Sequence, residues 1–376
     1  MRRTLSLLLA GLLMGCPKPT VDSGDSGRVD TDTGTTVDGQ TTAVVVTSDY
    51  AVYALATAEL DDGSIHDEIT ALTGSSTVRA LDDGWIYVIN SFGYDTIQAY
   101  EPGEWSAPRL EWSVGDGTAN PHDVEVCGDE VFVSLYGRDY IAVYDAESGT
   151  LTGTVDMTAF DDGDGIPEVD ALVKLSGREG YLYAAAQQLD EEDGWVSSGG
   201  AVAEIDCAAR SVTDAWDVGS NPKIYAHPTD EASLVVLTGV YYSPDGGISV
   251  LDTAKGTQSE VHISEEETGV DINTLAFSAS GAALAIGSSI EDYGATYSVS
   301  CFDLETWAWS EQSTTSSFLM DAVANDRGEA WILARTSWAD AESVGGIWMY
   351  DVETCTERVS DERLTFSLDP YSVAFF

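Results

Sequence analysis

Apolar and polar residues alternate in short runs along most of this chain, and turns rich in Gly, Asp and Ser separate the runs. Residues 121–127 (PHDVEVC), 130–135 (EVFVSL) and 140–145 (YIAVYD) form the clearest group. After the turn Ala146-Glu147-Ser148-Gly149 comes a fourth run at 151–155. A period of two sends alternate side chains to opposite faces, the pattern of half-buried antiparallel strands. The group predicts a unit of four strands, A to D. In each copy of the unit, one strand ends in an apolar residue followed by an acid. The copies are Leu60-Asp61, Tyr100-Glu101, Tyr144-Asp145, Ile205-Asp206, Leu251-Asp252, Phe302-Asp303 and Tyr350-Asp351. They recur every 40–50 residues or so, with one longer step between the third and fourth, and short strands at that period predict a propeller.

The first unit lacks its strand A, with strands expected only near 43–48, 51–60 and 64–70. The chain ends in Tyr371-Ser372-Val373-Ala374-Phe375-Phe376, a strand without a hairpin partner. Joining the two removes a pair of open sheet edges. The expectation is an all-β, seven-bladed β-propeller over residues 42–376, with blade 1 completed by the C-terminal strand. A long amphipathic helical stripe is missing from the sequence, so a helical solenoid is excluded.

The start of the chain has a different pattern. Met1-Arg2-Arg3 precedes an apolar run from Leu5 to Leu13, the layout of a secretory signal and too short to span a bilayer, which needs roughly 20 residues. The run ends in Leu13-Met14-Gly15-Cys16, which resembles the bacterial lipobox, although Met14 departs from the usual residue there. The resemblance implies that residues 1–15 are a lipoprotein signal peptide. It also implies that Cys16 carries a diacylglyceryl group and an acylated amine, since stable anchoring takes more than one acyl chain. Pro17 stands where an Asp retains some lipoproteins at the inner membrane, so the outer membrane of a bacterial envelope is the expected location. Residues 16–41 are rich in Asp, Ser, Thr and Gly, and three valines are the only apolar side chains besides the prolines after Cys16. Such a segment cannot bury enough surface to fold, and it reads as a disordered acidic linker.

The acidity extends throughout. There are 65 Asp and Glu against 16 Lys and Arg, a net charge of −49. Nucleic acid is thereby excluded as a partner, because phosphate binding needs a basic footprint. Direct adsorption to anionic lipid is disfavoured for the same reason. Solubility accounts for the charge, and divalent-cation binding is the sharper alternative. Cys127, Cys207, Cys301 and Cys355 permit three disulfide connectivities in an exported chain, and buried free thiols are the other reading.

Residues 86–102 (IYVINSFGYDTIQAYEP), 131–149 (VFVSLYGRDYIAVYDAESG) and 248–256 (ISVLDTAKG) resemble the YVTN-type propeller repeat. The layout of lipobox, acidic linker and seven blades is similar to envelope lipoproteins of myxobacteria and their relatives. The resemblance implies the fold and the anchor and says little of activity, because propellers host many functions.

In a four-stranded blade the B–C loops and the D-to-A connections share one face. The longest are 157–169, holding Asp161-Asp162-Gly163-Asp164-Gly165-Ile166-Pro167-Glu168, and 187–200, holding Asp190, Glu191, Glu192, Asp193 and Trp195. Carboxylates alternating about a Gly turn can supply oxygen ligands to Ca²⁺, with Asp162, Asp164 and Glu168 as ligands and Asp161 or Asp190 assisting. A turn stabilised by its own Asp side chains is the competing reading. The starts of the A strands ring the channel on the same face. They carry Arg79, His122, Asp123, Asp170, Asn221, Lys223, Asp271, Asp321 and Tyr371, a default binding site or a polar lining for strand ends. Phe92, Tyr94, Tyr136, Trp195, Tyr241, Tyr242, Tyr293 and Trp338 are expected on its loops, either as aromatic anchors for a protein or glycan or as loop tips packed on their own rim.

Catalytic signatures are weak. His66, His122, His227 and His262 fall on different strands and do not converge, and neither a G-x-S-x-G elbow nor a phosphate-binding glycine loop is present. The reading is a monomeric, non-enzymatic binding or scaffold module acting through its loop face. A lactonase-like hydrolase or a quinoprotein is the alternative.

Overall fold

The computed structural model describes residues 39–376 apart from 191–195, 198, 242, 293–295, 338–342 and 359–362. The expectations for residues 1–15, for Cys16 and for nearly all of the 16–41 linker lie outside the described residues. So do those for Glu191, Glu192, Asp193, Trp195, Tyr242, Tyr293 and Trp338.

Seven antiparallel blade sheets follow one another along the chain, and in blades 2 to 7 the first strand is the inner one. The inner A strands of blades 2 to 7 are Ser76–Ala80, Pro121–Cys127, Val169–Val173, Lys223–Ala226, Val270–Phe277 and Phe318–Ala324. Blade 3 continues with Glu130–Leu135, Tyr140–Asp145 and Leu151–Asp156, close to the ranges read from alternation. Blade 1 is ordered Ile65–Leu72, Tyr53–Glu59, Thr42–Ser48 and then Asp369–Phe375, so the C-terminal strand is its strand A. Ala43 lies opposite Phe375 and Ser48 opposite Asp369. Beyond the ladder, the Thr41 and Thr42 N–H groups donate to the Phe376 carbonyl at 3.0 and 3.2 Å. The ring is closed, as the incomplete first unit predicts.

The apolar core is a ring of seams between neighbouring blades. Tyr87, Ile89 and Trp112 of blade 2 meet Val131 and Tyr144 of blade 3. Trp331 and Ile347 of blade 7 meet Val45, Ala56 and Phe375 of blade 1. The outermost strands bury far less: Ser211–Asp217 of blade 4 and Ser310–Thr315 of blade 6 have no fully buried side chain. Acids placed there stay hydrated and discourage edge-to-edge pairing, so a very acidic chain can still fold.

Blade 5 departs from the unit. Its fourth strand is split into Thr257–Gln258 and Ile263–Ser264, both paired with Gly247–Asp252. His262, expected on a regular outer strand, lies between the pieces and stacks on Trp307 with ring centroids 4.1 Å apart. One helical turn, Glu265–Thr268, follows. The Ser264 hydroxyl caps it by accepting from the Glu267 N–H, and Gly269 ends it in the left-handed region.

Of the open alternatives for cysteine, the structure selects two disulfides, Cys127–Cys207 and Cys301–Cys355. The first links blade 3 to blade 4 and the second blade 6 to blade 7, so each crosses a seam.

Candidate functional site

Strand alternation puts the B–C loops and D-to-A connections on one face, called here the loop face. The A–B and C–D turns lie on the other, the turn face. At the junction of blades 3 and 4 the two long loop-face segments meet, as expected. Gln188 Nε2 donates to the Phe160 carbonyl at 2.8 Å, and the Gln187 N–H donates to the Glu168 carbonyl at 3.1 Å.

Asp161, Asp162 and Asp164 each place a carboxylate oxygen within 4.8 Å of the others, a set that can coordinate a divalent ion such as Ca²⁺. The loop also holds itself together. Asp161 Oδ1 accepts the N–H groups of Gly163 (2.8 Å) and Gly165 (2.7 Å), and Asp164 Oδ1 accepts that of Ile166 (2.8 Å). These amides hold the Asp161 carboxyl below its ordinary range, so it stays ionised. Glu168 is not in the cluster. Its carboxylate is buried and accepts the Leu189 N–H at 2.9 Å, tying one long loop to the other. Asp190 pairs with Val196 in the short ladder Leu189–Asp190 against Val196–Ser197, and its side chain lies outside the described residues.

The residues expected at the channel mouth mostly join one blade to the next. Arg79 of blade 2 faces Asp123 and Glu125 of blade 3, both at 3.5 Å. His122 Nδ1 lies 3.0 Å from Asp170 Oδ1 of blade 4, and its ring stacks on Tyr136 at 4.1 Å. Asp123 accepts the Leu172 N–H at 2.7 Å, and Asp321 of blade 7 accepts from Thr274 of blade 6 at 2.9 Å. The Tyr371 hydroxyl lies 3.1 Å from that of Ser75 in blade 2. Asn221 Nδ2 donates to the Gly239 carbonyl at 3.1 Å, and Asp271 is buried at the start of its strand. Lys223 Nζ donates to the Asn273 carbonyl of blade 6 at 2.7 Å. Burial lowers the pKa of this ammonium. Tyr241, Tyr225, Asp170 and Asp321 outweigh burial and hold its pKa above the ordinary lysine value. The arrangement is a belt of inter-blade polar contacts around the channel.

Three structural groups on this face escape a reading by composition or alternation. Asp95 is buried and accepts the N–H groups of Gly117, Ala119 and Asn120 at 2.8, 2.7 and 3.1 Å. Arg335 is buried, donates to the carbonyls of Pro370 (3.1 Å) and Ser48 (2.9 Å), and lies under the Tyr50 ring at 4.1 Å. Glu265 is fully buried and accepts the N–H groups of Ile272 (2.8 Å) and Gly246 (3.0 Å). Its carboxyl is pushed up to about 8, first by burial and then by Asp271, against the lowering effect of those two bonds. A carboxyl raised in the folded state binds its proton more tightly there. Its stabilising effect is complete below the unfolded value near 4.5 and is lost as pH rises towards about 8. Glu265→Gln should therefore remove a part of the pH dependence worth a few kcal/mol. Urea unfolding of both forms from mildly acid to alkaline pH checks this. Parallel stability curves would contradict it.

The exposed apolar side chains are unevenly placed. Among the described residues, eight large hydrophobics are well exposed, and six of them lie on B–C loops: Tyr50, Val52, Phe92, Tyr94, Tyr241 and Val344. Leu151 and Val261 lie elsewhere. Asp49 Oδ1 accepts the N–H groups of Ala51 (2.9 Å) and Val52 (2.8 Å), and the Phe92 N–H donates to Asn120 Oδ1 at 3.1 Å. Tyr94 lies against Gly74, where a Cβ would come within 2.1 Å of its ring. Tyr136 is a correction to the expected anchors. It is buried, because its ring covers His122 and its hydroxyl donates to Gln187 Oε1 at 3.0 Å. Tyr50, which the sequence did not single out, takes its place on the rim.

No protein-family model matches this chain, and no curated protein matches it in sequence. Solved structures match it in fold. A functionally unknown protein from Desulfotomaculum acetoxidans aligns with TM-score 0.58 at 11% identity, over 89% of this chain and 98% of that one. Kuenenia stuttgartiensis hydrazine synthase aligns with TM-score 0.55 at 12% identity, over 91% and 100%. The dihydro-heme d1 dehydrogenase NirN aligns with TM-score 0.51 at 14% identity, over 90% and 75%. At such identities the likeness is one of fold.

Proposed function

We propose that the protein is a lipid-anchored β-propeller of the bacterial envelope, of the YVTN-repeat lipoprotein kind, that binds a protein or glycan of the envelope through its loop face. The observation that carries the reading is that, among the described residues, six of the eight exposed large hydrophobics lie on the B–C loops of a chain with net charge −49. Exposed aromatics on loops fixed by hydrogen bonds lose little entropy on binding and serve as anchors. The lipobox-like Leu13-Met14-Gly15-Cys16 supplies the anchor, with the outer membrane as its place. The 161–164 carboxylates are the calcium-dependent part, since an ion there would neutralise charge on the face that carries the anchors.

Capture from envelope extract by the immobilised protein tests this. Changing Tyr50, Phe92 and Tyr94 together to Ala should reduce partner recovery about tenfold or more. Leu151→Ser with Val261→Ser should leave it unchanged. A chelator, or Asp161→Asn with Asp164→Asn, should weaken capture by the wild-type loops. Equal recovery by wild type and the triple variant would move the binding surface elsewhere.

A further inference from the structure

On the turn face, between blades 2 and 3, the structure holds a cavity of about 610 Å³. The volume falls in the ordinary range for small-molecule sites and leaves room for a short peptide. Trp85 forms part of its wall, and the Arg109 guanidinium lies 4.6 Å from that indole's centroid. Leu110 and Val126 supply further apolar wall. Asp129 and Glu147, on two turns of blade 3, line the same space.

The charges are disposed unusually. Asp83 and Asp145, also on the wall, are taken locally: Asp83 by the Tyr87 hydroxyl at 2.7 Å, and Asp145 by the Ser148 N–H and hydroxyl at 2.8 and 2.6 Å. Among the described residues, the side chains of Arg109, Asp129 and Glu147 make no hydrogen bond or ion pair with one another or with other groups. A guanidinium over an indole and two carboxylates thus share one cavity at more than ion-pair distance. A ligand that carries both signs satisfies both ends at once.

We infer that this cavity is a binding site for a short zwitterionic peptide, its carboxylate at Arg109, its ammonium at Asp129 and Glu147, and an apolar side chain on Trp85 and Leu110. A planar guanidinium pairs with a carboxylate through two parallel bonds, which favours a terminal carboxylate over its amide. The site lies on the face opposite the loop anchors and does not depend on the reading given for them.

The test uses the folded protein and the tripeptide Ala-Leu-Ala, followed by calorimetric titration and by quenching of tryptophan fluorescence. The free tripeptide should bind, and N-acetylation or C-amidation should each weaken it about tenfold. Arg109→Gln should bind the free and amidated peptides equally. Asp129→Asn with Glu147→Gln should do the same for the free and acetylated forms. Thermal melts matching the wild type establish that the variants are folded, and Arg109→Lys should retain part of the preference for a free carboxylate. Absence of binding up to about 10 mM, capped peptides that bind as well as the free one, or an Arg109→Gln protein that keeps its preference would each overturn the assignment.

Discussion

Removing residues 369–376 should abolish cooperative folding of the whole ring. The strand supplies strand A of blade 1 and buries Tyr371, Val373, Ala374 and Phe375. Burying one large apolar side chain is worth about 1.5–3 kcal/mol, so three of them approach the total stability of an ordinary domain, about 5–15 kcal/mol. The deletion would also take from buried Arg335 one of its two carbonyl acceptors, that of Pro370, and leave that of Ser48. A lost hydrogen bond to a buried charged group costs about 1.5–3 kcal/mol more. Val78 loses a bond as well, since its N–H donates to Ser372 Oγ at 3.1 Å across the seam to blade 2. The damage therefore reaches both neighbours of blade 1. Near-UV circular dichroism and urea unfolding should show lost tertiary signal and no sharp transition. An unchanged midpoint would sink this account of the closure.

Loss of the disulfides should have the next largest effect. Cys127 and Cys207 are 80 residues apart in sequence, and Cys301 and Cys355 are 54 apart. Cross-links over loops of that length stabilise by about 4 kcal/mol each in the chain-entropy account. Cys127→Ser with Cys207→Ser, Cys301→Ser with Cys355→Ser, and all four together should lower stability in steps, the last by nearly the sum. The two bridges lie at different seams, which is why they should add. The blade 3–4 seam keeps the His122–Asp170 and Asp123–Leu172 contacts when its bridge is cut, so that variant should still fold. Unfolding midpoints with and without reductant supply the measurement. A midpoint indifferent to reductant would contradict the prediction.

Alternation and repeat length made the blades legible, because a sheet with one face on each neighbour needs period-two strands wherever they occur. The closure was legible from a deficit, a first unit one strand short and a last strand without a mate. The polar residues at the strand starts were legible as a group, but their roles were not. Arg79, His122 and Asp170 read equally as ligands or as seam contacts until distances across blades are known. Tyr136 and Tyr50 differ in the same way. Both are loop aromatics, and the His122 ring beneath Tyr136 and the Gln187 acceptor for its hydroxyl separate a buried one from an exposed one. The cavity at Trp85 was invisible, since its walls come from turns in two blades that share no pattern. Asp161, Asp162 and Asp164 were found because a local motif needs no long-range contact, whereas Glu168 was lost from that set to a bond with Leu189 across the loop pair.

The chain enters the ring beside blade 7. The Gln40 N–H donates to Asp326 Oδ2 at 2.8 Å, the Asp326 N–H returns to Gln40 Oε1 at 2.8 Å, and Arg327 reaches the Gln40 carbonyl at 3.0 Å. Asp326 and Arg327 sit in an A–B turn, so this clamp fastens the incoming chain on the turn face. If Cys16 is lipidated as proposed, any pull from the membrane arrives at that point. An attachment on that face would then favour turns towards the bilayer, with Tyr50, Phe92 and Tyr94 on the side away from it. The clamp would thus act as a compass, giving the two faces different audiences: partners beyond the membrane for the loops, and solutes in the gap beneath for the cavity at Arg109.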